Sequence, residues 1–368
     1  MKSRIVSLMD VCRPKQWPTI SGDDLTDSGY SVYGANGKIG FYSEYNHEEP
    51  TLLITCRGAT CGTMNICEPK SYVTGNAMAL DDLKTDAVDK MYLYYYLRFR
   101  GFKDVISGSA QPQITRQGLE KVTVPLVSLN EQKSIATKLT DVEQLQSKRK
   151  QTLVYLDSYL HALFIEMFGD PVINPMGWPK KRFKDVAEIK TGNTPSRANA
   201  KYYGNKVEWI KSDNLNTPFH YATRATEFLS DEGEKIGRMA PSNSILVTCI
   251  AGSKECIGNS ALVDRAVAFN QQINSITCGS ELVPEFVYCL TLVGKRLIQA
   301  ASTNSMKGMV SKGKFEEIEI YMPPVNAQKA FANEFKKINQ LLLTLRSSET
   351  EMGHLFQSLL NESFGEVH

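Results

Sequence analysis

The sequence lacks any apolar run longer than a few residues, and it lacks a low-complexity tract. The first absence excludes a bilayer-spanning helix, which needs about 20 consecutive apolar residues. The opening "MKSRIVSLMDVCRPKQ" has no continuous hydrophobic stretch of the secretory type, so a cytoplasmic protein is expected. Only 5 histidines are present, isolated from one another and from any candidate nucleophile. The 8 cysteines are scattered. Cys56, Cys61 and Cys67 cluster, but without C-x2-C pairs or a nearby histidine, so reduced thiols are expected and no metal. No G-x-x-x-x-G-K-[ST] phosphate loop occurs. The Asn/Asp-Pro-Pro-Tyr motif of adenine methyltransferases is also missing, since "MPPV" (Met322 to Val325) has no polar residue ahead of its prolines.

What is present is ordinary globular composition over 368 residues, 42% apolar and 22% charged, enough chain for two or three domains. Net charge is only +2, but nine Lys or Arg face three acids between Lys180 and Lys211. Such a stretch can neutralise phosphates or simply form a solvated face.

The chain also repeats itself. At a shift of 196, Ile114, Leu119, Val122, Val124, Leu129, Asn130 and Gln132 fall on Val310, Phe315, Ile318, Ile320, Val325, Asn326 and Gln328. "HALFIEMFG" (from His161) falls on "QSLLNESFG" (from Gln357), and "LLITC" (from Leu52) matches "ILVTC" (from Ile245) at a shift of 193. This is a duplicated two-part unit, with a period far too long for a solenoid.

The first part of each unit reads as β-rich. "PTLLITC", "ALVDRAVAF" and "EEIEIYMPP" are short and β-branched, and "GYSVYGANGKIGFYSEY" carries an Asn-Gly hairpin signal. A helix is expected at Asp89 to Phe99 and another at Pro284 to Ala301, their aromatics serving as core. The second part is a long helix. Ile135, Leu139, Val142, Gln146, Arg149, Leu153, Leu156, Leu160, Leu163 and Met167 follow a 4-3 alternation, repeated at Phe331, Phe335, Ile338, Leu342, Leu345, Glu349, Met352, Phe356, Leu359 and Ser363. At 1.5 Å per residue, about 38 residues make a rod of roughly 57 Å. Paired antiparallel without stagger, the seams set Leu139 against Leu359, Val142 against Phe356, Leu160 against Ile338, and Arg149 against Glu349 as a register device.

The expected fold is therefore α+β: two mixed α/β heads related by a pseudo-two-fold axis and separated by an antiparallel pair of long helices. The divisions are 1–129, first head; 130–169, first long helix; 170–325, second head; 326–364, second long helix. Two unlike heads on a fixed spacer suit two unlike half-sites on a duplex.

The stretches "GSAQPQITRQGLEKVTVPLVSLNEQKSIATKL" and "MFGDPVINPMGWPKKRFKDVAEIKTGNTPSR" resemble specificity (S) subunits of type I restriction–modification systems. The resemblance covers essentially the whole chain, including the "FGDP…NP.GW" link. It implies that each head is a target recognition domain and each long helix a spacer. It further implies no catalytic residue and no cofactor in this chain. S-adenosylmethionine is expected on two modification subunits that methylate adenine, with restriction subunits as further partners, double-stranded DNA as the ligand and no membrane. The first head departs from the pattern, with "RPKQWPTISG" where the second has "KTGNTPSR".

Base reading calls for Arg or Lys, Asn or Gln, and small polar groups on loops. In the first head the candidates are Asn36, Lys38, Arg57, Thr60, Thr63, Asn76, Gln111, Gln113 and Arg116. In the second they are Thr194, Ser196, Arg197, Lys201, Lys211, Asp213, Lys254, Asn270, Gln271, Gln272, Lys307 and Lys312. Trp178 and Trp209 read as core or loop anchors. Three other readings stand beside this one: a metal-dependent nuclease built on the E-x-K of "DVAEIK" with Asp170, a scaffold without a DNA role, and an S-like subunit serving a different defence methyltransferase.

Overall fold

A computed structural model of the chain describes residues 4–35, 37–108, 110–303 and 308–365; Asn36 and Lys307, both DNA-contact candidates, lie outside them. The chain divides into two compact units, residues 1–150 with 348–368, and residues 151–347. Each takes in one head together with half of each long helix.

In the first unit a four-stranded antiparallel sheet runs in the order Arg13–Gln16, Ala77–Asp81, Leu52–Thr55, Met64–Ile66. Leu52, Leu53, Ile54 and Thr55 are all buried, which explains a continuous apolar run instead of an alternation. The hairpin Tyr30–Gly34 and Gly37–Tyr42 closes with Gly34 opposite Gly37, and Gly37 takes the positive φ (78°) that the turn requires. Arg4–Ser7 pairs with Thr123–Leu126 beside the start of the first long helix. Asp89 caps the helix Lys90–Arg100, accepting from Tyr92 N at 3.0 Å. Tyr92, Tyr95 and Tyr96 of that helix are core, with their hydroxyls satisfied: Tyr92 donates to Pro125 O (2.6 Å), Tyr95 to Glu143 Oε2 (2.9 Å) and Tyr96 to Thr123 O (2.9 Å).

The second unit repeats the plan. Its four-stranded sheet runs Ala187–Thr191, Ile273–Cys278, Ile245–Thr248, Ser260–Leu262, with Lys180–Arg182 paired to Glu319–Tyr321 beside the second long helix. It adds a mixed five-stranded sheet in which Val207–Ile210 and Val267–Phe269 run parallel. The single helix expected over Pro284 to Ala301 is instead two, Pro284–Val293 and Lys295–Ala300. Gly294 separates them where any Cβ would meet Leu290 O and Pro171 Cβ at 2.7 Å. The "FGDP…NP.GW" link folds on itself: Asn174 accepts from Trp178 N (3.0 Å), and Trp178 Nε1 donates to Phe168 O (3.1 Å).

The long helices are Leu129–Phe168 and Val325–Phe364. In the first unit Leu139 and Val142 share a core with Phe356, Leu359, Leu360 and Phe364. In the second, Leu153, Leu160 and Leu163 share one with Phe335, Ile338, Leu342 and Leu345. In each unit the two helix segments run antiparallel. Gln146 Nε2 donates to Met352 O at 3.1 Å. Arg149 gives its guanidinium hydrogen bond to the hydroxyl of Ser348, not to the carboxylate of Glu349 next to it. Both Arg149 and Glu349 are half-buried, and the neutral hydroxyl can be reached without desolvating the carboxylate.

The repeated "NEQ" and "NAQ" now have a structural reason. Gln132 is 0% exposed; its Nε2 donates to Val127 O (2.9 Å) and Ala87 O (3.1 Å), and its Oε1 accepts from Asp89 N (2.9 Å). Gln328, also 0% exposed, donates to Pro323 O (2.9 Å) and Glu281 O (3.1 Å) and accepts from Val283 N (2.9 Å). One buried carboxamide in each unit bolts the strand-to-helix join to the N-cap of the head's own helix.

Candidate nucleic-acid interface

In the first head the loops gather around Cys56. Its N–H donates to Asn76 O (3.1 Å) and its carbonyl accepts from Ile114 N (3.0 Å). Arg57 bridges to Gln113, and Gly58 N donates to Pro112 O at 3.1 Å. The hydroxyls of Thr55 and Thr60 both donate to Ala35 O at 2.9 Å, which holds the hairpin turn against the loop after Leu52–Thr55. Thr63 O accepts from Thr55 N (2.9 Å), and Gln111 stands in a loop closed by reciprocal Ser107–Gln113 bonds of 2.9 and 2.8 Å. The structure thus brings Arg57, Thr60, Thr63, Asn76, Gln111 and Gln113 into one loop cluster, while Lys38 stands on the strand that follows the hairpin turn. Arg116 is exposed on the short helix Arg116–Leu119, and no hydrogen bond among the described residues ties it to these loops. Lys38 is not a free cation: it pairs with Glu68 (3.4 Å) and lies over the Phe41 ring (4.6 Å). The Ser31 hydroxyl, bonded at 2.6 Å, and then Lys38 hold the Glu68 carboxyl below its ordinary range.

In the second head, Cys249 N and Ile250 N both donate to Gln272 O, at 2.7 and 3.1 Å, and Val310 N donates to Cys249 O at 2.8 Å. Thr194 bonds the carboxamide oxygen of Gln271, while Asn270 Nδ2 (3.1 Å) and Ser212 Oγ (3.4 Å) donate to Gln272 Oε1. Gln272, Ser212, Asp213, Asn216, Thr248 and Cys256 help line a cleft of about 270 Å³. Beside it, Arg197 stacks over Tyr203 and Trp209 (4.6 and 5.1 Å) and Lys211 over Trp209 (5.2 Å). Both cations share Glu227, whose carboxyl Lys211 first and Arg197 second hold below its usual range. Trp209 is buried, and its Nε1 donates to Asn193 O (3.2 Å), anchoring this group to the Thr194 loop.

Thr194, Arg197, Lys211, Asp213, Asn270, Gln271 and Gln272 are therefore brought together. Ser196 and Lys201 are exposed on the segment that follows Thr194, and Lys254 is exposed in the turn that carries Cys256. Lys312 stands apart on the helix Lys312–Glu316, paired with Glu316 at 3.3 Å.

The basic stretch is largely neutralised, by acids both within it and remote in sequence. Lys181 meets Glu281, Arg182 meets Asp185 and Glu317, Lys184 meets Glu317, Lys190 meets Glu188, and Lys206 meets Asp231. Lys180 and Lys201 have no carboxylate partner among the described residues. The E-x-K pair, Glu188 and Lys190, is bonded to itself at 3.1 Å, and Asp170 accepts from Val172 N (2.7 Å) and Ile173 N (3.2 Å). Among the described residues no group of three or more His, Cys, Asp or Glu is placed to hold a metal, and no helix is long and apolar enough to cross a membrane.

Sequence reasoning missed one ionic cluster. Glu208, 6% exposed on the strand Val207–Ile210, accepts a two-pronged bond from Arg265 (2.7 and 2.7 Å), one from Arg224 (2.5 Å) and one from Ala225 N (2.9 Å). Burial alone would raise its pKa, but Arg265, the Ala225 amide and Arg224 together hold it down to about 2. The available signal was an acid inside the apolar strand "VEWI", which demands a partner when buried.

The family described as "Type I restriction modification DNA specificity domain" matches residues 2–154 and 175–350. The HindI specificity subunit of Haemophilus influenzae is 32% identical over 160 residues, 40% of this chain, and that match spans 32% of the relative's own length. The MjaVIII specificity subunit of Methanocaldococcus jannaschii is 20% identical over 334 residues, 85% of this chain and 78% of its own. The crystal structure of a type I system S subunit from M. genitalium has a TM-score of 0.71, covering 99% of this chain and 96% of its own at 14% identity, a likeness of fold alone.

Proposed function

Because the chain belongs to the type I restriction–modification DNA specificity family, we propose that its two heads, 1–129 and 170–325, read the two unlike halves of an interrupted duplex target. The long helices then act as the spacer that sets the unread gap. The chain supplies recognition, while two modification subunits bring S-adenosylmethionine and methylate adenine, and restriction subunits cleave unmodified DNA. The setting is the cytoplasm, where the DNA is.

The observation that supports this best is a duplicated frame carrying different loops. The Gln132 and Gln328 bolts are the same to within 0.1 Å in each hydrogen bond, whereas the clustered polar residues differ from head to head. A frame kept constant while the presented groups change is what two different half-sites require.

Co-expression with the partner methyltransferase subunit, followed by mapping of methylated adenine across host DNA, tests it. The expected result is a split, asymmetric motif with a fixed gap. A stable complex that methylates nothing would favour a scaffold, or service to a different defence methyltransferase.

Lys201→Ala and Lys254→Ala remove exposed cations that have no carboxylate partner among the described residues. Each is expected to weaken binding alike for all sequences and to reduce the slope of log K against log salt by about 1. Fluorescence anisotropy across a salt series measures this. A change confined to one sequence would reassign the lysine to base reading.

A further inference from the structure

Both heads build the same small turn at the same place, although the residues share no motif. In the first, Ala77 N donates to Thr74 O (3.0 Å), Thr74 Oγ1 accepts from Asn76 N (3.5 Å), and Asn76 O accepts from Cys56 N (3.1 Å). In the second, Ile273 N donates to Asn270 O (3.1 Å), Asn270 Oδ1 accepts from Gln272 N (3.1 Å), and Gln272 O accepts from Cys249 N (2.7 Å). Each turn joins the strand that follows it to the end of the "TC" strand, and each sets a carboxamide side chain at its third position. From this equivalence we infer that Asn76 and Gln272 are a matched pair of adenine-reading residues, one for each half-site. The inference rests on the reading that the heads bind duplex DNA.

The side chains are in the right condition for it. Both residues are half-exposed. Among the described residues neither polar atom of the Asn76 side chain has a hydrogen-bond partner. Gln272 Nε2 has none either, while its Oε1 is oriented by Asn270, with the longer Ser212 bond (3.4 Å) the one that yields. A carboxamide offers a donor and an acceptor side by side, which matches N7 and the N6 amino group of adenine in the major groove.

The second head carries an independent sign of a missing polar partner. Thr248, 1% exposed, lines the same cleft as Gln272, and its Oγ1 has no hydrogen-bond partner among the described residues. The equivalent hydroxyl in the first head, on Thr55, is satisfied by Ala35 O.

The test is adenine-methylation mapping with the full complex carrying wild-type chain, Asn76→Ala, Gln272→Ala, or the near-isosteric Asn76→Asp and Gln272→Glu. Each alanine variant should lose discrimination by about tenfold or more at a single adenine, in one half-site for Asn76 and in the other for Gln272. The acidic variants, which only accept hydrogen bonds when ionised, should shift that position toward cytosine, whose N4 donates. A wild-type split motif that all four variants leave unchanged, or a relaxed position that was not adenine, overturns the pairing and leaves DNA reading by the heads intact. A wild-type complex that yields no split motif removes both.

Discussion

Gln328→Ala is expected to lower the unfolding free energy of the second unit by about 4 kcal/mol, and Gln132→Ala to do the same in the first. Each glutamine is 0% exposed and makes three hydrogen bonds, all to backbone. Truncation orphans one N–H and two carbonyls at a place water does not reach, and each orphan costs roughly 1–3 kcal/mol, less whatever water the new cavity admits. The groups left behind matter as well as their number. Val283 and Asp89 are the N-cap residues of the helices Pro284–Val293 and Lys90–Arg100, and Pro323 and Val127 stand just ahead of the long helices. Loss of the bolt therefore frees the head's helix and the long helix together. Gln→Glu should be worse than Gln→Ala, because a carboxylate would face two carbonyl oxygens. Hydrogen exchange read segment by segment assigns the loss to one unit, and chemical denaturation gives its size. A cost below about 1 kcal/mol at either site would mean that the repeated glutamine reflects ancestry and not structure.

The sequence announced these joins because both copies needed the same residue at the same offset. The long helices were legible for a similar reason: a largely apolar 4-3 seam recurs along most of each 40-residue helix, and that period fits no strand. Features that depend on contacts between remote segments were not legible. Three of the acids that neutralise the basic stretch, Glu227, Glu281 and Glu317, come from 16 to 135 positions away in sequence. Charge counted along the chain therefore overstated the free cation at Arg197 and Lys211. Gly294 broke a helix through its approach to Pro171, a residue of the link between head and helix, which periodicity cannot see. The matched turns were hidden for a deeper reason. "TGNA" and "NQQI" share no motif, and what they have in common is a side-chain acceptor at the first position and a carbonyl pairing at the third, both of which many residue types can supply. Asn76 and Gln272 were each legible as polar loop residues; their equivalence was not.

Acidification should destabilise the second unit in two stages set by two buried groups. His220 is buried, with Nδ1 on the Tyr288 hydroxyl (2.9 Å) and Nε2 without a hydrogen-bond partner among the described residues. Burial first, then the charges of Arg346 and His161, lower its pKa to about 4 from an ordinary 6.5. The unfolded chain thus takes up a proton that the folded unit refuses, so stability is complete above pH 6.5 and falls by on the order of 3 kcal/mol as pH drops to 4. Glu208 acts below that. Its pKa is held at about 2 against an ordinary 4.5, so the stability it contributes is present above pH 4.5 and is lost, again by on the order of 3 kcal/mol, as pH falls toward 2. Both slopes have the same sign, and their windows overlap only between 4 and 4.5. His220→Phe should therefore flatten the upper stage and leave the lower one, while Glu208→Gln should flatten the lower stage at the expense of a less stable unit at neutral pH, since Arg265 then lies beside a group that cannot neutralise it. Stability measured against pH by denaturant titration, with hydrogen exchange of the strand Val207–Ile210 as the local reporter, separates the two. An unchanged slope between pH 6.5 and 4 in His220→Phe would show that water reaches Nε2, and that the acid response belongs to the carboxylates alone.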